Sequence, residues 1–325
     1  MFGIMGTDAA FANAAGRAGK GAIEKEYASF KCANADPIVY LMGRGRVRIE
    51  SIKNGVKQTA EYTISTDTAV FINADAYSQI KLYFYPDPES LFVSAFGVLR
   101  EGGVLLDSQV IKFNQNNCPI VQVMFCGEDI TPDVNISTLP VVSFLESSYS
   151  KLTAQEVYTI EFQLSPMEKI DLSEIGKISE VIIDEAYNLR TLTIGAPREE
   201  LAAVKITGAP RLASSINWGD YPNIVKVETD GCDQINSYDF SENKNLEVVR
   251  ISSLALDELN LSGCTALTRI TYPASDSNVS NAIADAITNA DATDGIVRTD
   301  SEGAYYSTIA DAATAKGWTI EPLPA

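Results

Sequence analysis

The sequence predicts a mainly β protein that consists of an amino-terminal β-rich module, a repetitive β-solenoid and a small α/β cap. Three observations support this prediction. Short alternating segments separated by turn dipeptides precede residue 118, a hydrophobic triad recurs about every eleven residues beyond residue 166, and two helical patterns lie near the carboxy terminus. A chain of 325 residues is long enough for two or three such regions.

The first 118 residues divide into an arm and a β-rich module. Residues 1–35 are rich in Ala, Gly and Lys without apolar periodicity, so we expect an extended arm there. Residues 45–52 alternate and are followed by Asn54-Gly55, which predicts a hairpin with its second strand around 61–65. Further strands are expected at 68–73, 80–85, 91–99 and 109–113. We therefore predict an antiparallel β module over 36–118.

The solenoid is predicted for residues 119–275 from hydrophobic triads at positions i, i+3 and i+5. The regular triads are Met167-Ile170-Leu172, Ile178-Val181-Ile183, Leu189-Leu192-Ile194, Leu201-Val204-Ile206, Ile224-Val227-Thr229, Ile235-Tyr238-Phe240, Leu246-Val249-Ile251, Leu256-Leu259-Leu261 and Leu267-Ile270-Tyr272, with a weaker unit near Leu212. Two irregular triads precede them, Ile120-Val123-Phe125 and Leu139-Val142-Phe144. A fixed period of this kind indicates a repeat architecture, in which the terminal repeats are commonly atypical.

Two triads make one coil, because residues 256–272 align with residues 235–251 at an offset of twenty-one. Each coil therefore has 21–23 residues. The segment Leu259-x-Leu261-x-x-Cys264-x-x-Leu267 resembles a leucine-rich repeat. Over roughly residues 160–325, including Tyr305–Trp318, the chain resembles the short leucine-rich-repeat proteins of Bacteroidetes surfaces and of phages that infect those bacteria. The resemblance implies a leucine-rich-repeat solenoid with a binding role.

The α/β cap is predicted for residues 276–325. A helix is expected at 278–289, a strand at 295–299, a second helix at 305–316 and a last strand from Trp318. Gly317 stands in the usual carboxy-terminal capping position of the second helix. We expect this segment to seal one end of the solenoid.

Charge is distributed unevenly along the chain. The net charge is −18, but residues 1–60 hold nine Lys/Arg against five Asp/Glu, and residues 166–325 hold twelve against twenty-five. An acidic body disfavours nucleic acid, whereas a weakly basic arm suits an anionic partner. The excess over residues 1–60 is equally compatible with compositional noise.

The outward positions of the coils carry the candidate binding residues. One face is expected to present Lys205, Lys226, Arg250 and Arg269, and the opposite face Glu168, Asp171, Asp239, Asp257 and Glu258. These charges either keep stacked strands soluble or form a face for a carbohydrate or a basic protein. Trp218 and Tyr221, beside a Gly-Asp turn, are candidates for stacking on a sugar, with a place in the core as the alternative for Trp218.

Residues needed for common catalytic and metal chemistry are missing from the sequence. Histidine is absent, which removes the usual triads and the commonest general base. The five cysteines have no metal-type spacing, and Cys232, Cys264 and Asn243 share a position that suits a small side chain inside a turn. The acidic segment 291–295 lacks the spacing of a calcium loop. We expect no catalytic residues, no metal and no cofactor.

The expected function is non-enzymatic adhesion or structure, most simply in a phage virion. Residues 1–60 would contact other virion proteins, and the solenoid would bind a host-surface protein or glycan. The start of the chain lacks a signal-peptide pattern, and no stretch approaches eighteen apolar residues, so no membrane span is expected. A bacterial cell-surface protein and a polysaccharide-active enzyme are the alternatives. A homo-oligomer would suit an appendage, although no heptad pattern specifies one.

Overall fold

The structure, a computed structural model, describes residues 25–31, 38–64, 70–73, 79–84, 92–99, 110–113, 122–126, 133–136, 141–213, 216–253, 256–272, 277–300 and 305–323. This part of the chain is mainly β, with two α-helices and one short 3-10 helix. Among the described residues, those up to 142 and residues 148–153 form one compact unit, and residues 143–147 with those from 154 onward form another.

The first unit is built around one long strand, β2, which takes part in antiparallel pairing on both of its halves. Its first half pairs with β4 and β6, and its second half pairs with β3 and β5. The strands are β1 (Lys25–Lys31), β2 (Ile38–Lys53), β3 (Val56–Ile64), β4 (Val70–Asn73), β5 (Gln79–Phe84), β6 (Phe92–Leu99), β7 (Val110–Phe113), β8 (Gln122–Cys126) and β9 (Asp133–Asn135). The strand positions and the antiparallel pairing confirm the prediction for this region.

The predicted hairpin closes through Asn54 and Gly55, whose φ angles of 52° and 79° suit an Asn-Gly turn. Inside the module, the buried Glu50 carboxylate contacts Arg48 at 3.2 Å and also pairs with Lys57. These two cations compensate the cost of burying a carboxylate.

In the described residues, the structure differs from two predictions, the extent of the amino-terminal arm and the start of the solenoid. Strand β1 lies inside the predicted arm and pairs with β5 and β7, so residues 25–31 belong to the sheet. Strands β8 and β9 pair in parallel with β6 and β7 and lie in the first unit, although the solenoid was predicted from residue 119. Residues 1–24, with most of the arm, together with Ile120 and Leu139 lie outside the described residues.

The second unit contains a ladder of eight parallel strands, which we call the long ladder. It runs in the order β11, β13, β15, β16, β18, β20, β21 and β22. Two short ladders, β12 with β14 and β17 with β19, are also parallel. The strands are β10 (Val141–Leu145), β11 (Lys151–Gln163), β12 (Lys169–Asp171), β13 (Ile175–Asp184), β14 (Thr191–Thr193), β15 (Ala203–Thr207), β16 (Lys226–Asp230), β17 (Ser237–Asp239), β18 (Val248–Ser252), β19 (Glu258–Asn260), β20 (Arg269–Thr271), β21 (Ile296–Thr299) and β22 (Thr319–Pro322).

The register of the long ladder follows the hydrophobic repeat. Val181 pairs with Val204, Val204 with Val227 and Val227 with Val249, which are separations of 23, 23 and 22 residues. In the short ladders, Ile170 pairs with Leu192 and Tyr238 with Leu259, at separations of 22 and 21. Equivalent triad positions therefore lie beside one another, at the predicted separation of 21–23 residues.

The triads supply the core of this unit. Every residue of the nine regular triads is buried except Met167, which is partly exposed. The second and third positions share one face of a strand because successive side chains alternate. The first position lies two residues before the strand in every regular triad except that of Ile178, which is within β13. A single repeat of 21–23 residues has too little apolar surface around it to bury its own triads, so neighbouring repeats stabilise one another.

Two rows of β-turns connect the strands. In the first turn row, Leu189 N donates to Ala186 O at 3.0 Å, and the same bond joins Leu212 to Ala209 and Ile235 to Cys232 at 3.1 Å. In the second turn row, the same i to i+3 bond closes the segments 172–175, 221–224, 243–246 and 264–267. Repetition of one turn in successive coils keeps corresponding side chains in register.

A column of left-handed residues leads into the first turn row. Glu146, Leu164, Glu185, Gly208 and Gly231 have φ between 47° and 63°, and each donates its N–H to a carbonyl of the next coil. Glycine adopts this conformation without strain, whereas other residues do so at a cost. At Gly208 space is also limited, since an added Cβ would lie 3.1 Å from the Glu185 Cα.

We expect Gly208→Ala to destabilise the protein more than Gly231→Ala. Both changes place alanine at φ 63°, but at Gly231 the nearest atom to the new Cβ is an ordinary 3.7 Å away. The expected loss in the free energy of unfolding is about 1 kcal/mol for Gly231→Ala and about 2 kcal/mol for Gly208→Ala. Urea denaturation of both variants measures the difference, and equal losses would contradict the close contact.

The helices and strands at the carboxy terminus lie where the sequence predicts them. Helix α1 spans Ser277–Asn289 and lies beside β19, and helix α2 spans Tyr306–Lys316 and packs against α1. Gly317 is left-handed at φ 82°, and Trp318 N donates to Ala313 O at 2.8 Å. This arrangement confirms the predicted glycine cap. Neither described α-helix combines the length and apolar character that a membrane span requires.

The last strand, β22, has one side paired and one side open within the described residues. Thr319 N donates to Gly295 O at 2.8 Å and Leu323 N to Thr299 O at 3.2 Å, both toward β21. Successive residues of a strand point their backbone N–H groups to opposite sides. Since those of Thr319 and Leu323 point toward β21, the backbone nitrogens of Ile320 and Pro322 face the open side. Pro322 has no N–H to offer there.

Candidate functional site

The four predicted basic residues lie on the long ladder, but they do not form one basic row. Lys205 of β15 and Arg250 of β18 share a row in which Glu228 of β16 lies between them. Lys226 and Arg269 lie in a different row, on either side of Val248. The four cations therefore belong to the same ladder but fall in two rows, which also contain Glu228 and Val248.

Ion pairs further neutralise this face. Lys226 Nζ lies 3.1 Å from Glu228 Oε1, and Arg250 Nη2 lies 3.1 Å from Asp230 Oδ2. Arg298 Nε and Glu321 Oε2 of the last two strands are 2.8 Å apart. These side chains are partly exposed, so each pair contributes at most about 1 kcal/mol to stability. The face has mixed charge, which suits solubility of stacked strands.

The acidic candidates are brought together only in part. Asp239, Asp257 and Glu258 lie on or beside the paired strands β17 and β19, and we call these three residues the acidic strip. Asn236 Nδ2 donates to Asp257 Oδ2 at 3.3 Å, and Asn260 Nδ2 donates to Asp239 Oδ1 at 3.0 Å.

Glu168 and Asp171 belong to the other short ladder, where cations face them. Arg190 Nε lies 3.8 Å from Glu168 Oε2, and Lys169 Nζ lies 3.0 Å from Asp171 Oδ2. This part of the predicted acidic face is therefore largely neutralised, and the acidic strip stands apart from it.

Trp218 and Tyr221 are core residues. Their exposed fractions are only 3% and 4%, and the Trp218 ring packs against the rings of Tyr238 and Phe240 with centroids 6.4 and 5.2 Å away. The buried Asn243 side chain donates to the carbonyl oxygens of both Trp218 and Tyr221 at 3.0 Å. Because both rings are buried, the prediction that they stack on a sugar is wrong, and the alternative of a core position for Trp218 is confirmed.

A third surface, which the sequence reasoning missed, lies on the first turn row. The central residues of its three turns are Tyr187 and Asn188, Pro210 and Arg211, and Asp233 and Gln234. The Tyr187 side chain is 53% exposed, although its Cε1 lies only 3.6 Å from the position that a Cβ on Gly208 would take. Arg211 Nη1 donates to Asn188 Oδ1 at 3.2 Å across neighbouring coils.

A sequence signal for this surface existed in the three-residue spacing of Ala186-Leu189, Ala209-Leu212 and Cys232-Ile235. These six residues are buried, and each pair encloses two turn residues. An aromatic residue at such a position is placed outside the core by the turn itself.

Cys232 and Cys264 are fully buried thiols at two corners, as the sequence predicted for small side chains in turns. Cys264 Sγ donates to Phe240 O at 3.2 Å. Burial raises the pKa of both thiols from 9 to about 12. The thiolate form that reacts as a nucleophile is therefore scarce at neutral pH.

Stability is expected to fall as the pH rises from 9 to 12. In this window the unfolded chain releases the protons of Cys232 and Cys264, whose pKa is 9 there, while the folded chain holds them up to about 12. Below pH 9 both states are protonated, so this contribution is fully present. Cys264→Ala should reduce the slope of unfolding free energy against pH by up to about 1.4 kcal/mol per pH unit. Urea titrations at several pH values measure this slope, and an unchanged slope would contradict the assignment.

No group of three or more Cys, Asp or Glu side chains that could hold a metal ion occurs in the described part of the chain. The Asp291 carboxylate accepts a hydrogen bond from Gly263 N at 2.9 Å, as a turn residue does.

No protein-family model, curated protein or solved structure matches this chain significantly.

Proposed function

We propose that this chain is a non-enzymatic binding protein built on a leucine-rich-repeat solenoid, and that it is a structural or adhesion component of a phage virion. The observation that carries the proposal is the part of the long ladder from β11 to β20, in which neighbouring parallel strands are 21–23 residues apart and bury one repeated triad. Such repetition holds outward side chains in fixed rows, which is the arrangement that repeat proteins use to bind extended partners.

The outer surfaces support a role in binding. The long-ladder face is neutralised by ion pairs, whereas the acidic strip and the first turn row present carboxylates, amides and an exposed ring. Planar polar groups beside an aromatic ring can contact a host-surface protein or glycan through hydrogen bonds and stacking. Residues 1–60, with their excess of Lys and Arg, would contact other virion proteins.

Immunogold labelling of purified phage particles tests the virion assignment. Antibodies raised against the whole chain are expected to label intact particles at a fixed structure, and pre-immune serum serves as the control. Labelling of host cells without labelling of particles would support the alternative, a bacterial cell-surface protein. Labelling of neither would contradict both placements.

Binding and catalysis are separated by a second experiment. The purified chain is incubated with host cells and with isolated host polysaccharide, and both retention and release of reducing ends are measured. Retention without turnover is the expected result. Sustained release of reducing ends that a single carboxylate substitution abolishes would overturn the non-enzymatic proposal.

A further inference from the structure

We propose that the first turn row is a binding site for a neutral glycan, with Tyr187 stacking on one sugar ring. This inference rests on the proposed function and gives its binding surface and ligand class. The observations are the exposure of the Tyr187 ring, its place beside Gly208, which has no side chain, and the polar side chains at the equivalent places of the next two turns.

The Tyr187 ring is exposed beside a backbone position that carries no side chain. More than half of the side chain is open to solvent, and its Cε1 lies 3.6 Å from the position that a Cβ on Gly208 would take. Because Gly208 has no Cβ, its own side chain does not occupy the space beside this edge of the ring. A tyrosine also has few rotatable bonds to immobilise on binding, which favours affinity. A pyranose has one face of C–H groups that packs well on such a ring.

The residues of the next coils suit the hydroxyl groups of a sugar chain. Adjacent coils lie about 4.8 Å apart, as strands of a ladder do, which is close to the length of one sugar ring. Arg211 and Gln234 are exposed and Asp233 is partly exposed. Guanidinium, carboxylate and amide groups are planar and offer both donors and acceptors, so together they match hydroxyls, which also donate and accept.

The charges of the site favour a neutral glycan over an anionic one. Arg211 and Asp233 bring opposite charges to neighbouring turns, and the surrounding segment 166–325 carries twenty-five Asp/Glu against twelve Lys/Arg. A polyanion would be repelled by this field. A neutral sugar chain meets no such barrier and can use stacking and hydrogen bonds alone.

The site differs in kind from the acidic strip. The strip has carboxylates and amides, but among its described neighbours it has no exposed aromatic ring. The exposed aromatic rings in the described part of the chain include Tyr158 and Tyr305, and neither lies on the first turn row. Tyr158, on β11, is 65% exposed and provides a matched control of the same residue type.

The test is an array of neutral and anionic oligosaccharides probed with the whole chain, followed by calorimetric titration of the strongest neutral oligosaccharide. Tyr187→Ala is expected to weaken binding by about tenfold or more, and Tyr187→Phe to retain it, because the ring remains. Arg211→Ala should weaken binding several-fold. Tyr158→Ala should leave binding unchanged, and thermal unfolding should show that every variant keeps its fold.

Three results would overturn the site. They are the absence of binding to every neutral oligosaccharide, stronger binding to anionic than to neutral ones, and equal binding by Tyr187→Ala and the wild-type chain. These results are distinct from a failure of the proposed function. Particles labelled by the antibody with no glycan binding would leave the virion assignment standing, whereas Tyr187-dependent glycan binding without particle labelling would leave the site standing.

Discussion

Leu261→Asp is expected to lower the free energy of unfolding by more than about 5 kcal/mol and to unfold several coils together. The Leu261 side chain is completely buried, and loss of a buried leucine alone costs about 2–5 kcal/mol. A carboxylate at this position would also be buried without a cation, which adds a desolvation cost of several kcal/mol. Since each coil depends on its neighbours, the loss cannot stay within one coil.

Hydrogen exchange and urea denaturation measure this effect. Amides of β17, β18 and β20, in adjacent coils, are expected to lose protection in Leu261→Asp. The matched control is Thr265→Asp, which places the same charge on an exposed position of the next turn and should change stability by less than about 0.5 kcal/mol. A monodisperse Leu261→Asp protein with wild-type stability would contradict stacking of the coils.

The second large effect is expected for Arg198→Met, at about 3–5 kcal/mol. The Arg198 side chain is 5% exposed and donates to Ile194 O at 2.7 Å, to Leu172 O at 2.8 Å and to Gly176 O at 3.2 Å. Methionine fills similar space but removes the donor from three carbonyl groups. Leu172 O keeps its bond from Ile175 N at 3.1 Å, whereas a buried carbonyl that is left unsatisfied costs about 1–3 kcal/mol. Partial compensation by rearrangement keeps the total below the simple sum.

Arg198 stabilises the fold through backbone contacts and without an ion pair in the described part of the chain. Burial lowers the pKa of its guanidinium, and the charges of Tyr221 and Glu200 act in the opposite direction. Arg198→Lys should recover only part of the stability that Arg198→Met loses. An ammonium group still donates hydrogen bonds, but it can reach fewer carbonyls than a planar guanidinium. Arg190→Met, at an exposed position, is the control, and equal losses for Arg190→Met and Arg198→Met would contradict this role.

The repeat could be read from the sequence because its signal is local and regular. The triad positions are apolar at a fixed spacing, and burial in a parallel ladder follows from that pattern. The hairpin at Asn54-Gly55 and the glycine cap at Gly317 were likewise predictable, since each depends on a few neighbouring residues. Residues 25–31 were mispredicted as part of an extended arm, because pairing of β1 with β5 and β7 depends on contacts distant in sequence.

The candidate site was less accessible to sequence reasoning for the same reason. Lys205 and Arg250 lie four residues after the start of their triads, and Lys226 and Arg269 lie two residues after, so the cations fall in two rows. The ion pairs with Glu228 and Asp230 depend on side-chain contacts that the repeat pattern does not specify. Trp218 appeared available for a ligand because it lies beside a Gly-Asp turn, yet its ring is buried against Tyr238 and Phe240. Tyr187 was overlooked because its exposure is set by a turn within the repeat.

Pro322 has a consequence for how copies of the chain could assemble. A stack of parallel strands is a template, and an open edge with a full set of N–H groups would invite the first strand of another copy to continue it. On the open side of β22, proline replaces one of these donors, so end-to-end growth at this edge lacks a backbone bond. Copies that act together would then be held side by side, with the number of their contacts set by copy number and not by filament length.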